Sequence, residues 1–236
     1  MAQIINELSL VIPTKDDHLK VEKNLIPVYD FLKKFVEDFE ILIISNGSTK
    51  SSINYIDNFI QTFDSINHHK INISGKGAAV REGITNSKYD NVLFSDADFS
   101  VKINEFSKFV SNQKLKSPLV IGNRRNKVSV NKKTPLLRKI TGYAYIKLIN
   151  ILFSLNIEDT QCGFKAIDKK LFSKCDAFKT NGFSFDIEII LLAESQDISI
   201  TEVPVEYVHD SDSKVSVLID TFKMLIEILS IKKNFD

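Results

Sequence analysis

The amino-acid sequence predicts an α/β fold in which a mostly parallel central sheet is flanked by helices. Two observations support this fold class. Short apolar runs alternate with longer segments in which apolar residues recur at helical spacing. The 236 residues are also 43% hydrophobic and 26% charged, a globular composition in a chain long enough to bury a substantial core. Alternating strands and helices imply a sheet that is covered on both faces.

The predicted elements follow one another in regular order. The apolar runs predict strands at residues 8–12, 40–44, 71–73, 92–95 and 119–121. The segments between them predict helices at residues 17–36, 51–63, 77–86 and 104–114. No repeat, low-complexity tract or linker interrupts the sequence. We therefore expect residues 1–236 to form a single domain.

Polar segments follow three of the predicted strands. Pro13-Thr14-Lys15-Asp16 follows the first strand, Ser45-Asn46-Gly47-Ser48 the second, and Asp96-Ala97-Asp98 the fourth. In parallel α/β sheets, ligands bind beyond the carboxyl ends of the strands. We therefore expect these segments to meet at one edge of the sheet and to form a ligand site.

Asp96 and Asp98 are the most informative pair in the sequence. They lie one residue apart at the end of an apolar run, where both can reach a hard divalent cation. Carboxylate and phosphate oxygens are the partners that such a cation prefers. Two acids flanking one residue also occur in solvated turns, which is the alternative interpretation. The pair predicts the outline of a metal-nucleotide site.

The charge balance limits the partners of the chain. Thirty-one basic and thirty acidic residues leave a formal net charge of +1, which disfavours nucleic-acid binding. Any phosphate recognition must therefore be local. The first ten residues lack a basic signal-peptide region, and no apolar stretch reaches about 18 residues, so we expect a cytoplasmic protein without a membrane span. Cys162 and Cys175 lack metal-ligand spacing and are expected to be free, packed thiols.

Further motifs give the sequence a family resemblance. Gly75-Lys76-Gly77-Ala78-Ala79-Val80-Arg81 and the segment from Asp159 to Lys165, together with Asp96-Ala97-Asp98, resemble motifs of glycosyltransferase family 2. Phe185-Asp186-Ile187-Glu188 and Ser213-Lys214-Val215-Ser216 extend the resemblance, which covers residues 8 to about 217. The combination is similar to the dolichyl-phosphate β-glucosyltransferases and the dolichyl-phosphate mannose synthases. The resemblance implies a GT-A, Rossmann-like fold.

The resemblance also implies a donor site. Asp96 and Asp98 would hold Mg²⁺ or Mn²⁺ against the diphosphate of a nucleotide sugar, most readily UDP-glucose. His209 is a further candidate metal ligand, beside Asp210. The residues assigned to the donor are Pro13, Thr14, Asp16, Asn46, Gly47, Ser48, Lys76, Arg81, Asp96, Gln161 and Lys214. For Lys76 and Arg81, the alternative is a solvated, charged helix turn.

The acceptor side of the predicted site contains Arg124, Asp159 and Asp186, which with Asp98 are the candidate catalytic residues. A guanidinium such as Arg124 grips phosphate oxygens with two hydrogen bonds, although adjacent arginines are common in solvated loops. Asp159 is alternatively a turn cap. Asp186 and Glu188 lie two apart on a helix and cannot share a face, so we expect one in the site and the other in solvent. Arg138 could reach an acceptor phosphate.

The sequence departs from the family pattern after the second strand. Where the family usually has Asp-Asp-Gly-Ser, this chain has Ser45-Asn46-Gly47-Ser48. The acid that would accept a hydrogen bond from the uracil imide is therefore an amide or a hydroxyl, and Asn supplies both a donor and an acceptor. This departure leaves the nucleotide base open, and it allows a catalytically silent nucleotide-binding protein.

The resemblance implies a metal-dependent, inverting transferase with a polyprenyl or dolichyl phosphate as its acceptor, and a glycan or protein hydroxyl is the alternative acceptor. A lipid phosphate is already largely dianionic at neutral pH and needs no strong base. A glycan or protein hydroxyl requires a base, for which Asp159 or Asp186 would serve. Two amphipathic segments with basic edges, at residues 136–155 and 215–233, could contact a membrane surface peripherally, or could instead pack on the sheet or in a dimer.

Overall fold

The computed structural model describes residues 4–125, 131–132, 136–170, 178–208 and 217–235. Within these ranges, seven strands form one sheet in the order β10-β7-β9-β4-β1-β2-β3. Strand β9 runs antiparallel to both of its neighbours, while the other pairings in the sheet are parallel. The predicted α/β class with a mostly parallel sheet is confirmed.

The strands of this sheet are β1 Ile5–Thr14, β2 Val36–Asn46, β3 Ile66–Ile71, β4 Asn91–Ser95, β7 Leu119–Asn123, β9 Phe164–Asp168 and β10 Ile200–Pro204. Short strands β5 Val110–Ser111 and β6 Lys114–Leu115 form a hairpin, and β8 Asn131–Lys132 pairs with β11 Tyr207–Val208. The described helices are α1 His18–Phe35, α2 Lys50–Phe59, α3 Lys76–Asn86, α4 Leu136–Phe153, α5 Phe185–Glu194 and α6 Val217–Phe235.

The centre of the sheet is buried on both faces. Leu10 pairs in register with Ile41 on one side and with Leu93 on the other, and all three side chains are inaccessible to solvent. Continuous apolar runs of this kind are expected where helices cover both faces of a parallel sheet. Helix α1 passes directly into β2 at Val36, so no loop separates them. The predicted strand at 40–44 is therefore the buried end of a longer strand.

Two predicted elements were wrong. The third strand was expected at residues 71–73 but lies at Ile66–Ile71, because this strand is at the sheet edge and has a largely polar sequence. The helix expected at 104–114 is a 3₁₀ helix, Ile103–Phe109, followed by the β5–β6 hairpin. Asn112 and Gln113 adopt φ values of 51° and 61° in the hairpin turn, which an α-helix does not allow.

Helices α4, α5 and α6 pack together in a second apolar cluster. Its buried members are Tyr145, Ile149, Ile187, Leu191, Met224, Ile228 and Ile231. One face of each amphipathic segment predicted at 136–155 and 215–233 is therefore core. In the part of the chain that the structure describes, none of the helices has the length and apolar character needed to cross a membrane.

The fold brings four strand ends together. β1, β2, β4 and β7 are parallel, and their carboxyl ends carry Thr14, Asn46, Ser95 and Asn123. Ser95 pairs with Phe164, the first residue of antiparallel β9, so the loop before β9 reaches the same edge. The polar segments singled out in the sequence therefore meet as expected.

Candidate active site

The turn after β4 presents two carboxylates at the sheet edge. Asp96 and Asp98 alternate with Ala97 and Phe99, whose side chains are buried, so both acids remain partly accessible. The Ser100 backbone N–H donates to Asp98 Oδ1 at 2.9 Å, which fixes that carboxylate within the turn. Carboxylates held in this way at a strand end can bind a divalent cation together with phosphate oxygens.

Lys76 contributes a positive charge beside this turn. Its Nζ lies 2.5 Å from Asp96 Oδ1, and its side chain is 18% exposed. Burial lowers the pKa of Lys76, but the Asp96 and Asp186 carboxylates outweigh burial and leave the pKa raised. Lys76 therefore remains an ammonium group. It is the first residue of α3. The next two backbone N–H groups of this helix donate to the carbonyls of Gly182 and Asn181, so the group here that favours an anion is the Lys76 ammonium.

Two glycines allow these groups to approach. Gly163 packs directly on Asp96, because a Cβ at residue 163 would lie 2.1 Å from Asp96 Oδ2. The Asp96 N–H also donates to the Gly163 carbonyl at 3.2 Å. Gly75, with φ of 135°, allows the chain to enter α3 against Asn181, whose carbonyl oxygen would lie 2.1 Å from an added Cβ.

A small cleft opens beside the carboxylates. Its walls come from the β4 turn, from the ends of β7 and β11, and from the loop before β9. The lining residues are Ser95, Asp96, Asp98, Ser100, Val101, Arg124, Gly163 and Tyr207. Both acids and a guanidinium thus share one concave surface.

Arg124 and Asp159 form a two-pronged ion pair at the end of β7. Arg124 Nε donates to Asp159 Oδ2 at 2.8 Å and Nη2 donates to Oδ1 at 2.9 Å. The Arg124 backbone N–H adds a third bond, at 3.0 Å. Burial raises the pKa of Asp159, but the Arg124 guanidinium outweighs burial and holds it below its usual value. Asp159 is inaccessible to solvent, and its carboxylate contacts Arg124.

Asp186 forms the second buried ion pair. Its Oδ1 contacts Nζ of Lys165, and neither side chain has appreciable exposure. Lys165 Nζ also donates to the carbonyls of Thr160 and Cys162, at 3.1 and 2.8 Å. Lys165 therefore ties the start of α5 to the loop that carries Gln161. Burial raises the pKa of Asp186, against the opposing effect of Lys165 and Lys76.

The expectation that one of Asp186 and Glu188 is solvated was wrong. The two acids do face differently, but both are buried. Glu188 accepts hydrogen bonds from the backbone N–H groups of Lys179 and Thr180, at 2.9 and 2.8 Å. Backbone donors therefore satisfy the Glu188 carboxylate inside the protein.

Three other candidate residues have side chains that contact other parts of the protein. Arg81 donates to the Phe178 carbonyl at 3.0 Å and to Asn181 Oδ1 at 2.6 Å, so it orders the loop against α3. Gln161 points its amide at Met224 Sδ of α6, 3.7 Å away. Asp16 Oδ1 accepts from the backbone N–H and the hydroxyl of Thr49, both at 2.8 Å, and thereby joins the loops after β1 and β2.

Residues at the carboxyl ends of β1 and β2 lie close together. Ser48 Oγ lies 3.5 Å from the Thr14 carbonyl, next to Pro13, and Gly47 turns the chain with φ of 63°. The Thr14 hydroxyl is buried and has no hydrogen-bond partner within the described ranges. A buried hydroxyl in that state has capacity for a ligand or a water.

His68 and Asp57 were not found by sequence reasoning. Ser45 Oγ lies 2.8 Å from His68 Nε2, and His68 Nδ1 lies 2.8 Å from Asp57 Oδ1. Asp57 Oδ2 in turn contacts Lys70 Nζ at 2.8 Å. These residues come from β2, β3 and α2, so only the tertiary fold brings them together. The same holds for the Arg124–Asp159 pair.

Some of the candidate residues belong to the part of the chain that is not described. His209, Asp210 and Lys214 lie outside the described residues, as do Cys175 and the side chain of Arg138. In the described segments, there is no cluster of three or more His, Cys, Asp or Glu side chains able to hold a metal without a ligand's help. Cys162 is a buried free thiol, and burial raises its pKa to about 12.

The chain is similar to proteins of a known family over most of its length. The family model described as Glycosyl transferase family 2 matches residues 9–176. Dolichyl-phosphate beta-glucosyltransferase of Saccharomyces cerevisiae is 30% identical over 246 residues, covering 95% of this chain and 74% of the yeast protein. The protein of the same name from Dictyostelium discoideum is 28% identical, covering 95% of this chain and 73% of its own.

Solved structures agree on the fold. Glucosyl-3-phosphoglycerate synthase from Mycobacterium tuberculosis, in complex with Mn²⁺, UDP and phosphoglyceric acid, superposes with a TM-score of 0.71 at 14% identity. The superposition covers 96% of this chain and 78% of that chain. The expected GT-A fold is therefore confirmed.

Proposed function

Because this chain belongs to glycosyl transferase family 2, we propose that it moves glucose from UDP-glucose to the phosphate of a polyprenyl or dolichyl lipid. It is a hexosyltransferase, and the relatives that resemble it over most of its length include the dolichyl-phosphate β-glucosyltransferases of Saccharomyces cerevisiae and Dictyostelium discoideum. The observation that carries the proposal is the cleft in which Asp96, Asp98 and Arg124 converge at the carboxyl ends of the strands.

The donor site fits a divalent metal. Asp96 and Asp98 offer hard oxygen ligands, and a nucleotide diphosphate would complete the shell, as Mg²⁺ often requires. When bound, Mg²⁺ or Mn²⁺ would act as a Lewis acid that neutralises charge on the departing diphosphate. Lys76, which already contacts Asp96, would keep that carboxylate oriented and add positive charge to the same region.

The acceptor chemistry favours a phosphate nucleophile. A phosphate monoester is largely dianionic at neutral pH, so it attacks the sugar without losing a proton to the enzyme. A hydroxyl acceptor would need a free carboxylate as base. Asp159 is sequestered by Arg124, and Asp186 by Lys165. Both candidate bases are thus held in ion pairs, which supports the lipid-phosphate acceptor over a glycan or protein hydroxyl.

Arg124 is the proposed contact for phosphate charge. Its side chain is 23% exposed, and it lines the cleft beside Asp98. The guanidinium also lies over the Tyr207 ring, 5.3 Å from its centroid. Asp159 accepts hydrogen bonds from Nε and Nη2 of Arg124. The remaining nitrogen of the guanidinium, Nη1, therefore does not bind that carboxylate. Asp159 would then act as a positioning residue.

Two helices offer a surface for a lipid bilayer. On α4, the exposed residues recur at helical spacing, and Ile140, Tyr143 and Ile151 are 58%, 65% and 69% exposed. The same stripe includes Leu148 and Lys147. On α6, Ile226 and Leu229 are 55% and 65% exposed, between Lys223 and Lys233.

These stripes are proposed to contact an anionic membrane surface peripherally. Apolar side chains that enter the interface, flanked by lysines that meet lipid phosphates, have the chemistry of interfacial helices. The opposite faces of α4 and α6 form the buried cluster with α5, so the exposed stripes are not needed for that core. A protein bound in this way would meet its lipid acceptor at the bilayer surface.

The test is a transfer assay on the purified protein. Radiolabelled UDP-glucose, Mn²⁺ and dolichyl phosphate in detergent should give a labelled product that partitions into organic solvent, and EDTA should abolish it. GDP-mannose serves as the competing donor and a soluble sugar as the competing acceptor. Efficient transfer to the soluble sugar but not to the lipid would replace the proposal with a hydroxyl acceptor. Metal-dependent UDP binding without transfer to either acceptor would identify a silent nucleotide-binding protein.

A further inference from the structure

A loop from a distant part of the chain holds the start of helix α3. The helix begins at Lys76 and is preceded by Gly75, which has no side chain to cap it. The N–H groups of its second and third residues donate instead to the carbonyls of Gly182 and Asn181, at 3.1 and 3.2 Å respectively. The first N–H groups of a helix have no partner within the helix, so these bonds fix where α3 begins. The loop 180–184 therefore sets the backbone position of Lys76.

Helix α6 holds the other side of the same loop. The Ser184 backbone N–H donates to Glu227 Oε2 at 3.0 Å, and the Ser184 hydroxyl donates to the Met224 carbonyl at 3.2 Å. Gly182 packs so closely on Glu227 that an added Cβ would overlap with the carboxylate. The loop 180–184 is thus fixed between α3 and α6, and Glu227 is the side chain of α6 that binds it.

Phe185, which follows this loop directly, gives a second link to Lys76. Its ring is inaccessible to solvent, and Lys76 Nζ lies 5.8 Å from the ring centroid. The same Nζ lies 2.5 Å from Asp96 Oδ1. A lysine side chain has many rotamers, so holding its ammonium in one place requires both a fixed backbone and a surface on which the chain packs. The loop 180–184 and the residue after it provide both.

We propose that Glu227 is a positioning residue for the donor site, because it holds the loop 180–184 where Lys76 meets Asp96. This inference rests on the proposed function, since it concerns the same donor. Glu227 is not among the residues that line the cleft, so it acts through the loop and through Lys76. The adjacent residue of α6, Ile226, belongs to the exposed stripe proposed to contact the membrane. One turn of α6 would then both meet the bilayer and order the donor site.

The experiment is calorimetric titration of the full chain with UDP in the presence of Mn²⁺. Glu227→Ala removes the acceptor of the Ser184 N–H and should weaken UDP binding by about tenfold. Glu227→Gln retains a carbonyl oxygen as an acceptor, so its affinity should stay within about threefold of the wild type. The matched control is Glu194→Ala, the same substitution at an exposed glutamate at the end of α5, which should leave UDP binding unchanged.

A double-mutant cycle with Lys76→Met separates positioning from a purely structural role. Without the ammonium there is nothing left for Glu227 to position, so adding Glu227→Ala to Lys76→Met should weaken UDP binding by less than about threefold. The transfer assay gives a second readout. In Glu227→Ala, the KM for UDP-glucose should rise while the KM for dolichyl phosphate stays near the wild-type value.

Thermal unfolding of each variant reports whether its fold is intact. If Glu227→Ala does not fold, Gly182→Ala replaces it in the same cycle, because the added Cβ would displace the Glu227 carboxylate from the loop. Wild-type UDP affinity in the folded variant, or equal weakening with and without Lys76→Met, overturns the inference and leaves the proposed function standing. A wild-type protein that does not bind UDP with Mn²⁺ overturns both.

Discussion

Arg124 grips Asp159 through two side-chain hydrogen bonds and one backbone hydrogen bond, with donor–acceptor distances between 2.8 and 3.0 Å. The acid is inaccessible to solvent, while the guanidinium reaches the cleft beside the β4 turn. The pair thus joins the interior of the protein to the proposed phosphate site. Its two members, 35 residues apart, come from the end of β7 and from the loop before β9.

This ion pair predicts a strong effect on stability. Asp159→Asn leaves a largely buried guanidinium without its counter-charge, so we expect the free energy of unfolding to fall by about 3 kcal/mol or more. The double variant Arg124→Met/Asp159→Leu should recover much of that loss, because neither buried charge remains. Urea unfolding measures both. A double variant as unstable as Asp159→Asn would contradict the explanation from charge burial.

The carboxylate pair after β4 predicts a large effect on activity and a small effect on stability. Asp98→Asn removes a negative ligand but retains an acceptor for the Ser100 N–H. We expect the transfer rate to fall by about two orders of magnitude or more, while the melting temperature stays within about 2 °C of the wild type. The measurements are the transfer assay and thermal unfolding. Full activity of the variant, or of the wild type in excess EDTA, would contradict the metal role.

His68 predicts a pH dependence of stability. Burial lowers the pKa of His68, and Lys70 and His69 act in the same direction, while Asp57 opposes them. The unfolded chain, whose His pKa is about 6.5, therefore binds more protons than the folded chain just below that pH. Stability should consequently fall as the pH drops from about 7.5 to about 5.5.

The check is urea unfolding across that pH range. His68→Gln keeps a hydrogen-bonding group but cannot titrate, so the decline should be shallower in this variant. His69→Gln is the matched control on the opposite face of β3. His69 is the smallest of the named influences on the His68 pKa, so this variant should retain most of the wild-type slope. Equal slopes in the wild type and in His68→Gln would show that His68 does not contribute.

The sheet and the edge at which its polar segments meet could be predicted from the sequence because they depend on local patterns. Apolar runs predicted β1, β2, β4 and β7, and the polar segments after three of them were placed correctly at one edge. Strand β3 was misplaced because an edge strand such as Ile66–Ile71 needs little apolar sequence. The β5–β6 hairpin was missed because residues 104–114 resemble a helix in composition. The hairpin turn requires positive φ values at Asn112 and Gln113, and the helical pattern of the sequence does not indicate them.

The partners of the charged residues could not be predicted from the sequence. Single residues such as Arg124, Asp159 and Asp186 could be selected because they match family motifs. Which cation each acid meets depends on strand order, since Lys165 lies on β9 and Asp186 on α5. The Ser45–His68–Asp57 chain depends on contacts between β2, β3 and α2. Nothing in the spacing of these residues along the chain indicates that they meet.

The surroundings of Cys162 predict that its thiol is unreactive in the native protein. It is inaccessible to solvent, packs against Gly122, and has a pKa raised to about 12 by burial. Since the thiolate is the reactive form, iodoacetamide should not modify Cys162 in the native protein at pH 8 and should modify it in urea. Mass spectrometry of the peptide that contains residue 162 gives the result. Rapid native modification would show that the loop before β9 opens readily.

The exposed stripe on α4 predicts membrane binding. Vesicles that contain anionic lipid should sediment the wild-type protein at low salt, and the triple variant Ile140→Ser/Tyr143→Ser/Ile151→Ser should remain mostly in the supernatant. All three side chains are exposed, so the melting temperature should change little. High salt should weaken wild-type binding, because it screens Lys147 and the basic residues of α6 from the lipid phosphates.

The matched control uses exposed apolar residues elsewhere. Leu19 and Ile26 of α1 are 62% and 50% exposed, comparable with the α4 residues, but they lie on a helix that covers the sheet. Leu19→Ser/Ile26→Ser should sediment like the wild type. Equal loss in both variants would mean that vesicle binding follows general surface hydrophobicity. Wild-type protein that stays in the supernatant would remove the membrane surface from the proposed function, and the acceptor would then have to reach the cleft from solution.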